Sequence, residues 1–312
     1  MAIFAGPEYL DGMKTSASLP LSSAGHELDT SQSSWGELED SSMLRHDPIA
    51  LRKKMREQGY LFMRSFFDRE LIQEARDTLL AQLNEPGIFD PGYPLDKGVL
   101  LPGVNPMSLP HTLLKDNLAV RRVVFGPEIV AFYRELLDGE VRHFDHIWGR
   151  AIGKGAGTHP HCDIVYMGRG TRNLCTAWIP FGDVSYELGG LMVLENSHRQ
   201  ADRIRNYLTS DVDTFCEDNP SRHGWKFHGW LSSNAASLRE KFGGRWLSTA
   251  FQMGDLLTFS METVHASTDN QTDRIRISTD TRYQLESEPI DERWIGESPI
   301  GHGPNAKKGL IC

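Results

Sequence analysis

The chain has four cysteines, Cys162, Cys175, Cys216 and Cys312, and none falls in a Cys-x-x-Cys pair. That spacing argues against a zinc knuckle and offers no disulfide framework. No run of about 18 apolar residues is present, so no segment is expected to span a bilayer. Residues 1–10 lack the charged-then-apolar order of a secretory leader. Lys and Arg do not cluster, and the formal net charge is −9, the opposite of what a nucleic-acid surface or a polybasic groove requires. No internal repeat is evident. The expectation is a cytoplasmic protein with reduced thiols that acts on a small molecule, with no nucleic-acid or membrane partner.

What is present divides into three stretches. Residues 1–45 are rich in Ser with little periodicity, the texture of an extended or flexible arm. Residues 46–285 form the expected domain, and residues 286–312 a C-terminal tail. Within the domain, Asp47 followed by Pro48 reads as a helix start and Gly59 as its stop. Tyr60, Leu61, Phe62 and Met63 follow as a short apolar strand. Asp68 opens a helix in which Leu71, Ile72, Ala75, Leu79 and Leu83 recur at helical spacing. Its apolar stripe should pack on the outside of a sheet.

A Pro- and Gly-rich loop over residues 84–110 precedes a further amphipathic helix carrying Ile129, Val130, Tyr133, Leu136 and Leu137. From about residue 141 the pattern changes to short apolar or alternating strands separated by Gly, Asn and Asp. Such a pattern predicts a mainly β fold with flanking helices, its core a jelly roll or double-stranded β-helix of the cupin kind. A polar and aromatic insert over residues 199–244, with Phe215, His223, Trp225, Phe227, His228 and Trp230, reads as a lid or flap.

The chemistry-bearing residues lie inside the β region. His161 and Asp163 stand at i and i+2, positions that share a face in a strand. One segment can thus offer an imidazole and a carboxylate to a single metal ion, with Cys162 turned away as a small hydrophobe. His265 would complete a two-histidine, one-carboxylate facial triad, which leaves three positions open and suits non-haem Fe(II). Asp269, Asn270, Gln271, Thr272 and Asp273 are turn-type residues between His265 and an Arg-bearing strand. The segment therefore reads as strand, turn, strand, with His265 and Arg276 facing each other across neighbours. A buried Arg suits a 2-oxoacid carboxylate through paired charge-assisted hydrogen bonds. Alternation places Arg274, Arg276, Ser278, Asp280 and Arg282 on one face, so register leaves Arg274 and Arg276 as rivals. Ser267, two residues after His265, can add a hydroxyl. Tyr166, Met167, Arg169 and Arg282 stand near the expected barrel mouth.

Several motifs in this order carry a family resemblance: His161-Cys162-Asp163, the strand around Trp178, the run from Gly189 to Arg199, Gly254-Asp255-Leu256-Leu257-Thr258-Phe259, and His265 through Arg276. On these, residues from about 48 to 283 resemble the phytanoyl-CoA dioxygenase-like family of Fe(II)/2-oxoglutarate oxygenases. The resemblance implies a dioxygenase using Fe(2+), 2-oxoglutarate and O2, with His161, Asp163 and His265 as iron ligands. It also implies Arg276 as the 2-oxoglutarate anchor, with Ser267 and Trp178 lining the co-substrate pocket. The implied reaction hydroxylates an unactivated C–H bond of a small molecule, an amino-acid derivative, acyl compound or natural product, with formation of succinate and CO2. Desaturation, epimerisation and cyclisation are variants of that chemistry, and retention of Asp163 favours hydroxylation over halogenation. Two other classes compete: a zinc hydrolase using His159, His161 and His265, and a non-catalytic jelly-roll binding module.

Overall fold

The fold is taken from a computed structural model, which describes residues 20–213, 228–302 and 306. In chain order the first elements are strands β1 (Ser22–Ser23), β2 (His26–Glu27) and β3 (Trp35–Glu37), helix α1 (Pro48–Gln58), strand β4 (Tyr60–Met63) and helix α2 (Arg69–Asn84). Next come β5 (Met107–Leu109), α3 (His111–Lys115), α4 (Leu118–Val124), α5 (Pro127–Leu137), β6 (Val141–His143), β7 (Trp148–Ile152) and α6 (Ile164–Met167). The remainder are β8 (Cys175–Pro180), β9 (Leu191–Leu194), α7 (Arg205–Leu208), α8 (Ala235–Phe242), β10 (Trp246–Ser248), β11 (Leu256–Ser260), β12 (His265–Ser267) and β13 (Arg276–Leu285). No described helix is long and apolar enough to cross a membrane.

Two sheets make the core. The larger runs β4-β11-β8-β13-β7-β5, with β6 paired to the far end of β13; the smaller runs β12-β9-β10-β3. Side-chain alternation explains the layering. Leu61, Met63, Ala177, Ile179, Ile275 and Ile277 pack with the helices, whereas Tyr60, Phe62, Trp178, Leu257 and Phe259 pack with Leu191, Val193 and Leu247 of the smaller sheet. Ile72, Ala75, Leu79 and Leu83 of α2 join the helix-side cluster, so the stripe packs on the outer face of the sheet as its spacing predicts. The mainly β, cupin-like architecture is the expected one.

Local signals set several boundaries. The Asp47 carboxylate accepts from the Ala50 amide at 3.0 Å, Pro48 occupies the first turn, and Gly59 ends α1 at φ +78°. Asp68 caps α2 by accepting from the Glu70 amide at 2.7 Å. Within the stretch read as loop, β5 nevertheless extends the large sheet. Just beyond it lie α3 and α4, of which Asn117 caps α4 by accepting from the Val120 amide.

Over its described part, the segment expected to be an extended or flexible arm is held against the domain. Residues 20–45 are tied down: β3 pairs in parallel with β10, and Leu28 and Leu38 are buried. Their Ser-rich composition serves hydrogen bonds instead of disorder, with Ser34 Oγ donating to Asp29 and Ser23 Oγ to the Ser267 carbonyl. The tail likewise begins inside the fold, since Trp294 is buried and its ring lies tilted against that of Trp148, 4.7 Å between centres. Residues 1–19 of the arm lie outside the described residues, as do Phe215, Cys216, His223, Trp225, Phe227 and Cys312.

Candidate active site

His161 and His265 meet as a single antiparallel bridge, each amide donating to the other's carbonyl at 3.0 Å. Such a pair puts both side chains on one side of the backbone. The expectation that His161 and Asp163 share one strand face is corrected. The chain leaves extended geometry after Cys162, and Asp163, at φ −65° and ψ −26°, is the residue that opens α6. A turn rather than strand alternation brings its carboxylate round. Cys162 turns away into an apolar cluster and is fully buried.

His161, Asp163 and His265 form the one metal-competent cluster found among the described residues, with their ligand atoms all within 4.8 Å of one another. Asp163 Oδ1 lies 4.0 Å from His161 Nε2 and 3.7 Å from His265 Nε2, too long for hydrogen bonds. The His161 Nδ1 sits 2.7 Å from the His159 carbonyl and the His265 Nδ1 3.0 Å from the Thr263 carbonyl. Those contacts place the ring protons on Nδ1 and turn both Nε2 lone pairs towards Oδ1. Two imidazole lone pairs and a carboxylate oxygen converging without a proton between them fit a divalent cation.

The other carboxylate oxygen is already engaged. Arg282 Nη2 donates to Asp163 Oδ2 at 3.0 Å, and the Thr176 hydroxyl donates to the same oxygen. Burial by itself raises the carboxyl pKa, but the Arg282 guanidinium, helped by the Thr176 hydroxyl, outweighs it and holds Asp163 well below the usual range. Burial, reinforced by His265, pushes His161 down to about 3, and burial also lowers His265, so both rings stay neutral and able to ligate.

The turn-type run after His265 is not a hairpin. β12 belongs to the smaller sheet and β13 to the larger, so His265 and Arg276 face each other across the gap between sheets, not on neighbouring strands. Asn270 builds this corner: its buried side-chain amide donates to the Ile152 carbonyl at 3.0 Å and the Arg274 carbonyl at 2.7 Å. The corner leaves Arg274 exposed and Arg276 buried. Arg276 Nη1 donates to Ser278 Oγ at 2.7 Å, while its buried Nε has no partner among the described residues. Burial lowers its pKa to about 10, so it remains a cation at neutral pH.

The cluster sits between two linked cavities. The inner one is lined by Trp178, His265, Arg276 and Asp280; the outer, of about 430 Å³, by Trp148, Tyr166, Met167 and Trp230. Arg150, Thr158, His161, Asp163 and Arg282 border both. Ser267 does not front either cavity: it is fully buried and its Oγ accepts from the Thr158 amide at 2.8 Å, so Thr158 presents the hydroxyl. His159 stands apart from the cluster, its ring 3.7 Å from that of Trp230. Arg169 is drawn off by Asp211 at 2.7 Å. Arg282, Thr176 and Thr158 are the residues whose parts the motifs did not single out. Arg282 was legible by alternation with Arg276, and Thr176 by alternation with Trp178.

Known proteins resemble this chain in sequence and in fold. The family model described as phytanoyl-CoA dioxygenase matches residues 55–278. A 1-deoxypentalenic acid 11-beta-hydroxylase of Streptomyces exfoliatus is 27% identical over 260 residues, covering 78% of this chain and 84% of the relative. Among solved structures, the non-heme alpha ketoglutarate dependent carbocyclase SnoK from nogalamycin biosynthesis superposes with a TM-score of 0.55 at 17% identity, covering 77% of this chain and 85% of that one. The epimerase SnoN, solved with Fe3+, alpha ketoglutarate and nogalamycin RO, gives 0.54 at 19% identity over 82% of this chain and 95% of that one. With its matched residues spanning most of the sequence, the chain belongs to the phytanoyl-CoA dioxygenase family and is an Fe(II)/2-oxoglutarate oxygenase that uses ferrous iron, 2-oxoglutarate and dioxygen.

Proposed function

We propose that this enzyme hydroxylates an unactivated C–H bond of a small molecule in the cytoplasm. One oxygen atom of O2 enters the substrate as hydroxyl and the other enters succinate as 2-oxoglutarate loses CO2. The observation that carries the reading is the asymmetric use of Asp163. Its Oδ2 is held by Arg282 and Thr176, which leaves Oδ1 aimed at the gap between His161 Nε2 and His265 Nε2. In this reading His161, Asp163 and His265 would hold the iron. Iron bound there supplies dioxygen activation and C–H oxidation, which no side chain can perform.

The remaining residues bind and orient. Arg276 takes the distal carboxylate of 2-oxoglutarate, for which its unpartnered Nε and buried charge are suited. Trp178 forms a wall of that inner cavity, and Ser267 supports it by fixing Thr158. The insert contributes Trp230, which lies against His159 at the outer mouth and limits water entry. Retention of the carboxylate supports hydroxylation, as does the activity named for the Streptomyces relative. Relatives named as an epimerase and a carbocyclase share the fold, so the outer cavity, not the fold, selects the outcome.

The test is succinate formation with ferrous iron, ascorbate and 2-oxoglutarate over a panel of small apolar substrates, with mass spectrometry for a product one oxygen heavier. Asp163→Ala should abolish most hydroxylation and give little or no chlorinated product with added chloride. Neighbouring groups arranged for a carboxylate do not hold a halide. Asp163→Glu keeps the charge, displaces the metal by a methylene and should also be poor. Full turnover by Asp163→Ala would sink the facial-triad reading.

A further inference from the structure

The outer cavity carries more positive charge than the proposed reaction uses. β7 and β13 pair so that Arg150 lies opposite Ser278 and Trp148 opposite Asp280, which sets these side chains and Arg282 on one face of the large sheet. Arg282 spends only Nη2 on Asp163; its Nε and Nη1 are buried and have no partner among the described residues. The Arg282 guanidinium lies 4.4 Å from the centre of the Trp148 ring, which fixes its plane. Arg150 reaches Asp280 only through Nε, at 3.5 Å, and its two terminal nitrogens make no hydrogen bond among the described residues.

Charge balance gives the deficit. Arg150, Arg276 and Arg282 face Asp163 and Asp280 across the two cavities. Ferrous iron and a 2-oxoglutarate dianion cancel each other, so three cations against two anions leave one positive charge around cavities in which Arg276 and Arg282 are buried and Arg150 is about a third exposed. Buried guanidinium nitrogens left without an acceptor are costly, and Arg282 has two of them among the described residues. Much of the remaining outer wall is apolar or aromatic, with Trp148, Tyr166, Met167 and Trp230, and Thr158, His159 and His302 add polar groups to it. Its volume of about 430 Å³ suits a compact polycyclic or branched skeleton.

We propose that the substrate is an apolar ring-bearing monocarboxylic acid whose carboxylate is held between Arg150 and the free edge of Arg282, with its skeleton against Trp148 and Trp230. The assignment rests on the proposed function and names its substrate class. One planar monoanion matches both the residual charge and the two free fork edges. It also places the skeleton beside His161 and Asp163, at the border of the two cavities, where C–H oxidation would occur. A phosphate monoester, as a dianion, would overshoot the balance, and a neutral molecule would leave it unmet.

The experiment uses the full-length protein loaded anaerobically with Mn(II) and 2-oxoglutarate, whose binding is itself measured by calorimetry. Three acids are then titrated against their own methyl esters: 1-deoxypentalenic acid, adamantane-1-carboxylic acid and cyclohexanecarboxylic acid. At least one acid should bind ten-fold or more tighter than its ester. In Arg150→Gln and in Arg282→Lys that ratio should fall at least three-fold, and Arg150→Lys should recover part of it. Because acid and ester are compared within each variant, general losses of folding or metal affinity cancel. Equal binding of acid and ester, an unchanged ratio in both variants, or no binding by any acid to a protein that takes up Mn(II) and 2-oxoglutarate would each overturn the proposal. Failure to take up Mn(II) and 2-oxoglutarate would instead overturn the functional reading on which it rests.

Discussion

The Arg276 side chain is a buried cation that donates to Ser278 and whose Nε has no partner among the described residues, facing His265 across the inner cavity. Removing one member of a buried charge pair costs about 2 to 5 kcal/mol. Arg276→Ala should therefore raise the apparent KM for 2-oxoglutarate by about 30-fold or more while Mn(II) affinity stays nearly unchanged. Arg276→Lys should recover only part, because an ammonium lacks the planar fork. Arg274→Ala, at an exposed position, should change the KM for 2-oxoglutarate little; a larger effect there than at Arg276 would reverse the assignment. At this scale the sequence was informative for residue type and only partly for geometry. The metal-competent set His161, Asp163 and His265 was legible because metal binding demands those side chains, and Arg276 was legible as the proposed anchor because a carboxylate suits a guanidinium. The split of Asp163 into an oxygen facing the imidazoles and an oxygen held by Arg282 and Thr176 needed the turn at Asp163, which strand periodicity cannot express.

The first helix shows how an element's ends reach the site. Asp47 caps α1 through one exposed hydrogen bond, and its loss in Asp47→Ala should cost about 1 kcal/mol. Gly59 closes the same helix at φ +78°, where a Cβ would lie 2.4 Å from His198 Nδ1 and 2.9 Å from Thr263 Oγ1. A non-glycine residue there carries about 1 to 2 kcal/mol of backbone strain before the clash is added. Gly59→Ala should therefore lower the urea midpoint more than Asp47→Ala does. It should also weaken Mn(II) binding, because the Thr263 carbonyl orients His265. A milder effect than Asp47→Ala would show that the loop around His198 gives way freely. Boundaries such as these were readable because capping and left-handed glycine are local. The corner at Asn270 was not. A polar run of turn-type residues predicts a change of direction, but whether the chain re-enters the same sheet or crosses to the opposite one depends on partners at Ile152 and Arg274.

Across the whole molecule, the N-terminal segment is coupled to the cavity wall through a short chain of hydrogen bonds. Asp269 accepts from Ser22 Oγ at 2.7 Å, the Ala24 amide at 2.8 Å and the Gly25 amide at 2.9 Å, which pins the β1–β2 hairpin. Ser23 Oγ donates to the Ser267 carbonyl, and Ser267 Oγ in turn holds the Thr158 amide beside both cavities. Composition alone points to a loose arm here, because Ser-rich stretches bury little apolar surface; the anchoring carboxylate lies more than 240 residues away in the chain. In Asp269→Ala two amides and a hydroxyl lose their acceptor, a change worth about 1 to 3 kcal/mol at partly buried groups. Hydrogen exchange at Ala24 and Gly25 should accelerate strongly, while amides of β8 and β13 should keep their protection. If the hairpin also steadies Thr158, the apparent KM for 2-oxoglutarate should rise a few-fold in Asp269→Ala, and Ser23→Ala should raise it in the same direction. Exchange that accelerates at the hairpin with no change in KM in either variant would confine Asp269 to stability and break the proposed link between the arm and the site.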